Sequence, residues 1–359
     1  MEFQNQLYEG NPNFVPKIFL DELNTLDPKK NPAYEFCEAA MFLAYRDGKV
    51  VGRVAAIVNN IANKNWDHKE VRFGWIDFID DYEVSGALLD KVIAFGKERG
   101  MTKLVGPLGF TDFDPEGMLV EGFDKLSTMA LIYNNPYYVD HIRHFGLTEE
   151  AEWVEFNVFV PEKLPERVTR LAELCKKRYK LRIKTMTMSE IKKKNLGQKI
   201  FEVVNESYSE LYNFTVLPKK LIDKYVNDYL GLLDLRMVPL VVDEDDNIAG
   251  FAITMPSITR ALQKCGGKLF PFGWFYVLRS MFWKREPNIE MLLVGASKAH
   301  QNHGVLAIIF DYVIPVYSKL GFKYGETNAE LVYNTNIQSP WSMFDNELVK
   351  RRKVFGKEI

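Results

Sequence analysis

Phe42-Leu43-Ala44-Tyr45-Arg46-Asp47-Gly48-Lys49-Val50-Val51-Gly52-Arg53-Val54-Ala55-Ala56-Ile57 reappears, 198 positions later, as Leu240-Val241-Val242-Asp243-Glu244-Asp245-Asp246-Asn247-Ile248-Ala249-Gly250-Phe251-Ala252-Ile253. In each stretch an apolar run meets an acidic or Gly-containing turn, and a second apolar run with an early Gly follows. That is the pattern of a β-hairpin. A second echo lies downstream: Ala87-Leu88-Leu89 to Gly100-Met101-Thr102-Lys103, against Ala307-Ile308-Ile309 to Gly321-Phe322-Lys323. Both read as an apolar helix ended by Gly and followed by a strand. Between the echoes the offset grows from 198 to 220, so the second copy carries an insertion. Internal repetition at this spacing points to two copies of one α/β domain, each with a mixed sheet.

The first copy reads as strands Met41–Arg46, Val50–Asn59 and Val71–Ile79, helix Val84–Arg99 and strand Thr102–Pro107. An irregular Gly-, Pro- and Asp-rich stretch, Gly106–Gly122, comes next. Helix Tyr137–Phe145 and strand Trp153–Val160 close the unit. The polar, Pro-broken start reads as loop and short helices, and the copy looks short of a first strand. Pro161–Pro165 is the expected linker, dividing residues 1–162 from 163–359. The second copy reads as strand Leu181–Thr187, helices over Ser189–Leu233, the hairpin Val238–Asp243 and Ile248–Pro256, strand Asn288–Ser297, helix Val305–Leu320, strand Tyr324–Val332 and a basic strand-like tail, Leu348–Phe355. The insertion, Ser257–Pro287, mixes Phe270, Phe272, Trp274 and Phe275 with Arg279, Lys284 and Arg285. It is expected to be an aromatic helix packed on its own domain or a partner subunit, with a membrane-surface helix or a lid as the alternative.

Composition narrows the function classes. The net charge is -2, which gives no basic stripe for nucleic acid. Three scattered cysteines, Cys37, Cys175 and Cys265, fit a reduced, intracellular protein. The five histidines form no zinc pattern, so no metal is expected. The polar start resembles no signal peptide, and no run approaches the ~20 apolar residues of a membrane span. By elimination the expected location is the cytoplasm.

Leu292-Leu293-Val294-Gly295-Ala296-Ser297-Lys298-Ala299-His300-Gln301-Asn302-His303-Gly304-Val305-Leu306-Ala307 carries the clearest chemical signal. A strand ends, a short loop turns, and a helix starts near Gly304. Amides at a helix start lack intrahelical partners and the dipole adds positive potential, so a phosphate group can bind there.

The order of hairpin, strand, turn, helix and strand, with Gln301-x-x-Gly304 at the turn, resembles the GNAT superfamily of acyl-CoA-dependent N-acyltransferases. Asn11-Pro12-Asn13-Phe14-Val15-Pro16, Leu269-Phe270-Pro271-Phe272-Gly273-Trp274 and Thr327-Asn328-Ala329-Glu330-Leu331 are similar to bacterial tandem GNAT-like proteins. The resemblance implies two tandem GNAT-like domains, with acetyl-CoA or another acyl-CoA as co-substrate. It places the coenzyme on Val294, Gly295, Ala296, Gln301, Asn302, His303, Gly304, Val305 and Leu306, and on Asn334 of a second motif. Leu306 stands where the family has a small residue. Trp341 stands where it has the Tyr that protonates the leaving thiolate, and an indole N–H has no useful acidity. Tyr324 or Tyr333 is the expected substitute, the alternative being that the thiolate, with a thiol pKa near 8.5, leaves unassisted. The family also implies a bulge near Val294–Gly295 that opens the sheet and turns an amide toward the thioester carbonyl. Glu290 on that strand is a candidate general base; the competing reading is a surface-facing carboxylate.

The first copy has Asp80, Asp81 and Glu83 where the phosphate loop would be. They repel pyrophosphate and suit a helix cap instead. Asn134-Asn135-Pro136-Tyr137-Tyr138 echoes the second motif, and the two tyrosines either line a groove between the copies or pack. Asp112, Asp114 and Glu116 read as a solvated loop in preference to a cation site. The expected activity is acyl transfer, most simply of acetyl, to a small-molecule or peptide amine, by a chain that can form a homo-oligomer. The rivals are a non-catalytic tandem scaffold and an aminoacyl transferase using charged tRNA, the second disfavoured by charge.

Overall fold

The computed structural model describes residues 2–359. The first half runs α1 (Glu2–Leu7), α2 (Phe19–Leu26), β1 (Cys37–Arg46), β2 (Lys49–Asn59), α3 (Asn60–Asn65), β3 (Glu70–Phe78), α4 (Tyr82–Lys97), β4 (Lys103–Gly106), β5 (Met118–Glu121), α5 (Tyr137–His144) and β6 (Thr148–Phe159). The second half runs α6 (Glu166–Tyr179), β7 (Arg182–Lys184), α7 (Met188–Lys194), α8 (Leu196–Ser207), α9 (Lys219–Tyr229), β8 (Leu240–Val242), β9 (Ile248–Pro256), α10 (Thr259–Cys265), α11 (Gly273–Phe282), β10 (Asn288–Ala296), α12 (Val305–Leu320), β11 (Tyr324–Thr327), β12 (Glu330–Leu331), α13 (Thr335–Gln338) and β13 (Asn346–Glu358). The repeat is real at the level of elements, since hairpin, strand, helix and strand recur in both halves.

One mixed sheet crosses the molecule in the order β1-β2-β3-β4-β13-β6-β11-β10-β9-β8-β7. The two closing strands are exchanged. β13, the end of the second half, pairs with β4 from Phe355↔Gly106 to Glu358↔Lys103. β6, the end of the first half, pairs with β11 from Tyr324↔Phe159 to Glu326↔Asn157. The pair β6–β13 is antiparallel from Asn346↔Val158 to Gly356↔Thr148. Each copy is therefore completed by a strand from the other, and a cut near residue 162 leaves each half without the strand that closes it.

Helices cover the sheet where apolar residues recur at helical spacing. α6 and α12 pack Val168, Ala172, Val305, Ile308 and Ile309 on the second half of the sheet. α4 and α5 pack Leu88, Leu89, Val92, Tyr138 and Ile142 on the first. At the junction the sheet buries charge instead. Arg352, on β13 and fully buried, donates from Nε to Glu155 Oε1 at 2.5 Å. Lys350 lies 3.6 Å from Glu155 Oε2 and also pairs with Glu326.

The insertion docks on the N-terminal segment through α10. Gln263 Nε2 donates to the carbonyls of Pro12 and Phe14 at 2.8 Å each, and Asn5 Nδ2 donates to that of Gly266 at 3.1 Å.

Candidate functional site

β10 and β11 run parallel from Asn288↔Tyr324 to Met291↔Thr327 and then part. β10 stays beside β9, with a register shift between Met291 and Leu293, while β12 crosses to β6. The bulge expected near Val294–Gly295 therefore lies earlier, at Leu292. Asn328 holds the fork open: its amide donates to Met291 O at 3.1 Å and its Nδ2 to Leu292 O at 3.1 Å. This hinge also explains why Tyr324–Val332, expected as one strand, is two. Tyr208 Oη donates to Val294 O at 2.9 Å. A strand residue aims its N–H and C=O to the same side, so the Val294 amide also faces into the fork.

β10 leads into a turn that ends at Gly304, the residue before α12. Gly304 has φ +67, and a Cβ there would collide with the sulfur of Cys175. Both facts require glycine. In the turn the His303 amide donates to His300 O, and the first α12 amides bonded to Gly304 O are those of Ala307 and Ile308. The amides of Gln301, Asn302, Gly304, Val305 and Leu306 have no hydrogen-bond acceptor among the described residues, and no side chain caps the helix.

The fork opens into a connected cavity of about 1190 Å³. Val294, Gly295 and Ala296 line it along β10, and Gln301, Asn302, Gly304, Val305 and Leu306 line it at the turn. Tyr333 and Asn334 face it from the opposite arm. His303 is turned away, stacked on Tyr179 at 4.0 Å between ring centroids. Tyr324 lies outside the wall, 6.3 Å from the Phe159 ring.

Glu290 does not line the cavity. It is not surface-facing either, being 2% exposed. Oε1 accepts from Ser257 Oγ at 2.9 Å and Oε2 from the Met129 amide at 3.2 Å. Burial raises its pKa to about 7. Lys17 holds the same Met129 segment, donating to the carbonyls of Met129 and Leu131 at 2.7 and 2.8 Å. Glu290 thus ties a first-half loop to β10.

The carboxyl that does face the fork is Glu330 on β12, which sequence reading passed over as part of a longer strand. Both its oxygens accept from Trp341 Nε1, at 3.0 and 3.2 Å. Burial raises its pKa to about 8, against the lowering effect of that indole. Trp341 itself is buried beside Phe310, with ring centroids 5.4 Å apart. Tyr333 is exposed, and its oxygen accepts the Tyr212 amide at 3.0 Å, leaving its own proton free to donate.

The first copy has the same fork, filled. Tyr138, fully buried, stacks on Phe78 at 4.1 Å, and its oxygen accepts the Phe78 amide at 3.0 Å. Tyr137 Oη donates to Phe78 O at 2.6 Å. The two tyrosines pack, and line no groove between the copies. Asp81 occupies the helix start, accepting from the Glu83 and Val84 amides at 2.9 and 3.3 Å.

At the far end of the cavity stand Asp21, Glu22, Asp112, Asp114 and Glu116. The loop Asp112–Glu116 is therefore a cavity wall and not solvated surface. Burial raises Asp112 to about 6 and Asp114 to about 7, and lifts Glu116 well above its ordinary value. Among the described residues Glu22 Oε2 receives no hydrogen bond, and its nearest cation is Arg53 Nη1, 3.9 Å away. Among the described residues no group of His, Cys, Asp and Glu is arranged to hold a metal ion.

No family model matches the chain. Along 98% of its length it superposes on a tandem GNAT protein from the clavulanic acid biosynthesis pathway, over 90% of that chain, with a TM-score of 0.52 and 13% identity. The fold is that of a tandem GNAT protein. It also matches the GCN5-related glucosamine N-acetyltransferase region of a fungal multi-domain GH3 β-N-acetylglucosaminidase, at a TM-score of 0.58 and 12% identity. That match covers 99% of this chain and 36% of the fungal one, so the chain spans about a third of that protein. Among curated sequences, this chain is 26% identical over 309 residues to a bacterial ceramide synthase of Caulobacter vibrioides, covering 82% of this chain and 76% of that one. It is 24% identical over 369 residues to Protein YghO of Escherichia coli, covering 99% of this chain and 91% of that one.

Proposed function

We propose that the chain is an acyl-CoA-dependent N-acyltransferase whose coenzyme is held by the second copy alone. The observation that carries this reading is the row of five unpaired amides at the mouth of the open β10–β11 fork. Unpaired amides at a helix start suit a pyrophosphate, and the turn stands beside a cavity wall of bare strand. In this reading Gln301, Asn302, Gly304, Val305 and Leu306 bind the pyrophosphate by their backbone. The pantetheine lies along Val294–Ala296, Asn334 closes the opposite arm, and His303 supports the turn by stacking on Tyr179. The Val294 amide faces the thioester carbonyl and stabilises its oxyanion.

The amine nitrogen attacks the carbonyl carbon, the C–S bond breaks, and the thiolate takes a proton. Glu330, raised to about 8, is protonated at neutral pH and is matched to a thiol of pKa near 8.5. It donates to sulfur and recovers a proton from the nitrogen as the amide forms, so atoms and charge balance. Tyr333 is the second protic group on the same arm. Glu290 has a positioning role, holding the loop that carries Met129. The acidic far end of the cavity, where Glu22 Oε2 has no hydrogen-bond donor among the described residues, suits the ammonium form of the acceptor, which gives up one proton there or to water before its nitrogen attacks.

The cavity is far larger than an acetyl group needs, and its walls are mainly apolar. Similarity to a protein named for making ceramide, an amide of a fatty acid, agrees with a longer acyl group. The scaffold reading drew on Trp341, and a carboxyl held by that same indole weakens it. The test is thiol release from acetyl-, octanoyl- and palmitoyl-CoA in the presence of long-chain amines, with the product identified by mass. Amine-dependent release, fastest with the longer donors and lost in Glu330→Gln, is the expected result. Absence of any amide product from every pair would contradict the reading.

A further inference from the structure

The insertion between β9 and β10 exposes a set of large aromatic side chains. Phe270, Phe272 and Trp283 are 75%, 72% and 73% exposed, and Trp274, Phe275 and Phe282 are 45%, 49% and 40% exposed. Helix α11 is apolar on two faces. Val277, Leu278 and Met281 line the large cavity, while Phe275 and Phe282 point to solvent. Phenylalanines turned to water on the face opposite the cavity call for an apolar cover, and Arg279 beside them supplies a cation to that same face. The same segment is basic: residues 257–287 hold Arg260, Lys264, Lys268, Arg279, Lys284 and Arg285 against a single acid, Glu286, in a chain whose net charge is -2. Arg260, Lys264, Arg279 and Lys284 have no carboxylate within 4.0 Å among the described residues. Trp274 belongs both to this surface and to the cavity wall, so the apolar interior reaches the patch.

We propose that α11 and the loop before it form a docking surface for an anionic lipid bilayer. Aromatic rings sit at the headgroup boundary, and flanking lysines and arginines meet the negative leaflet. Charge complementarity is what favours lipid over a second copy of this chain, whose matching surface would bring the same cations together. No helix among the described residues is long and apolar enough to cross a membrane, so the contact is interfacial. An apolar molecule resident in the bilayer then has a path past Trp274 into the cavity without crossing water. The docking does not depend on the coenzyme reading, since the two use different residues.

The test is co-sedimentation of the full chain with phosphatidylcholine vesicles, with and without phosphatidylglycerol, beside light scattering for oligomeric state. Phe270→Ser/Phe272→Ser/Trp283→Ser changes three exposed positions, and a thermal melt checks that it folds. The wild-type chain is expected to bind the phosphatidylglycerol vesicles and the triple variant to lose roughly tenfold or more in partition coefficient. Arg279→Glu/Lys284→Glu, or added salt, is expected to weaken binding to those vesicles only. Calorimetric coenzyme A affinity is the separate readout, expected to be equal in the wild type and the triple variant. Absence of vesicle binding, or equal binding by the triple variant, would overturn the proposal. A wild-type dimer that the triple variant converts to monomer would overturn it in favour of an interface between copies.

Discussion

A side chain at Gly304 faces two obstacles, the φ of +67 and the sulfur of Cys175. The first costs roughly 1–2 kcal/mol for a residue with a Cβ, and the second is steric and removable. Gly304→Ala is therefore expected to lower the melting temperature and weaken coenzyme A, and adding Cys175→Ala to restore part of both. A double-mutant cycle on melting measures it, and additive effects would show that the two residues do not meet. Glu330 sets the second expectation at this scale. With its pKa raised to about 8 it is an acid at neutral pH, so kcat/KM falls as pH rises through that value. Glu330→Gln should cost on the order of 10²–10⁴ in kcat and leave coenzyme A affinity unchanged. Trp341→Phe removes the indole N–H that lowers the carboxyl pKa, so the descending limb moves to higher pH.

At the scale of elements, α4 and α12 are the same helix with opposite starts. Asp81 accepts the Glu83 and Val84 amides of α4, whereas the Val305 and Leu306 amides of α12 have no acceptor among the described residues. Asp81→Ala is expected to cost about 1 kcal/mol of stability and to create no coenzyme site, because Tyr138 still fills that fork. A melt and a titration of the variant check both statements. The acidic start of α4 was legible from Asp80-Asp81-Tyr82-Glu83, since a cap is a local rule. β9 at Ile248–Pro256 and α12 at Val305–Leu320 were likewise legible to the residue, because periodicity and terminal Gly mark them locally. The bulge was misplaced and Glu330 missed for one reason. Asn328 breaks the strand by bonding to Met291 and Leu292, residues distant in sequence, and no pattern around Glu330 announces it. The acidic loop at Asp112–Glu116 has solvent-like composition and becomes a wall only when α8 and α9 bring Phe201 and Tyr225 against Phe113.

At the scale of the whole molecule the exchanged strands join two copies into one sheet, so stability belongs to the pair. Lys350, 1% exposed between Glu155 and Glu326, is the sharpest probe. Lys350→Met leaves two buried carboxylates with one fewer cation and is expected to cost about 3–5 kcal/mol, as measured by urea unfolding. Residues 1–162 expressed alone lack β13 and should not give a cooperative transition. The strand exchange was invisible to local patterns, because Leu348–Phe355 reads as a strand without indicating its neighbours. The raised acids also tie stability to pH. Asp114, at about 7 in the folded chain, holds its proton where the unfolded chain has lost it. Its contribution is full below about pH 4 and is lost as pH rises toward 7. Asp114→Asn removes that dependence, so the variant should gain on the wild type between those values. A flat difference across the range would remove Asp114 from the account.

Calorimetric titration with coenzyme A, of the wild-type chain beside Gly304→Asp, reports where the coenzyme binds. One site per chain in the wild type, abolished when a carboxylate is set at the turn, is the result expected. No binding by the wild type, two sites per chain, or binding that survives Gly304→Asp would contradict a coenzyme held by the second copy alone.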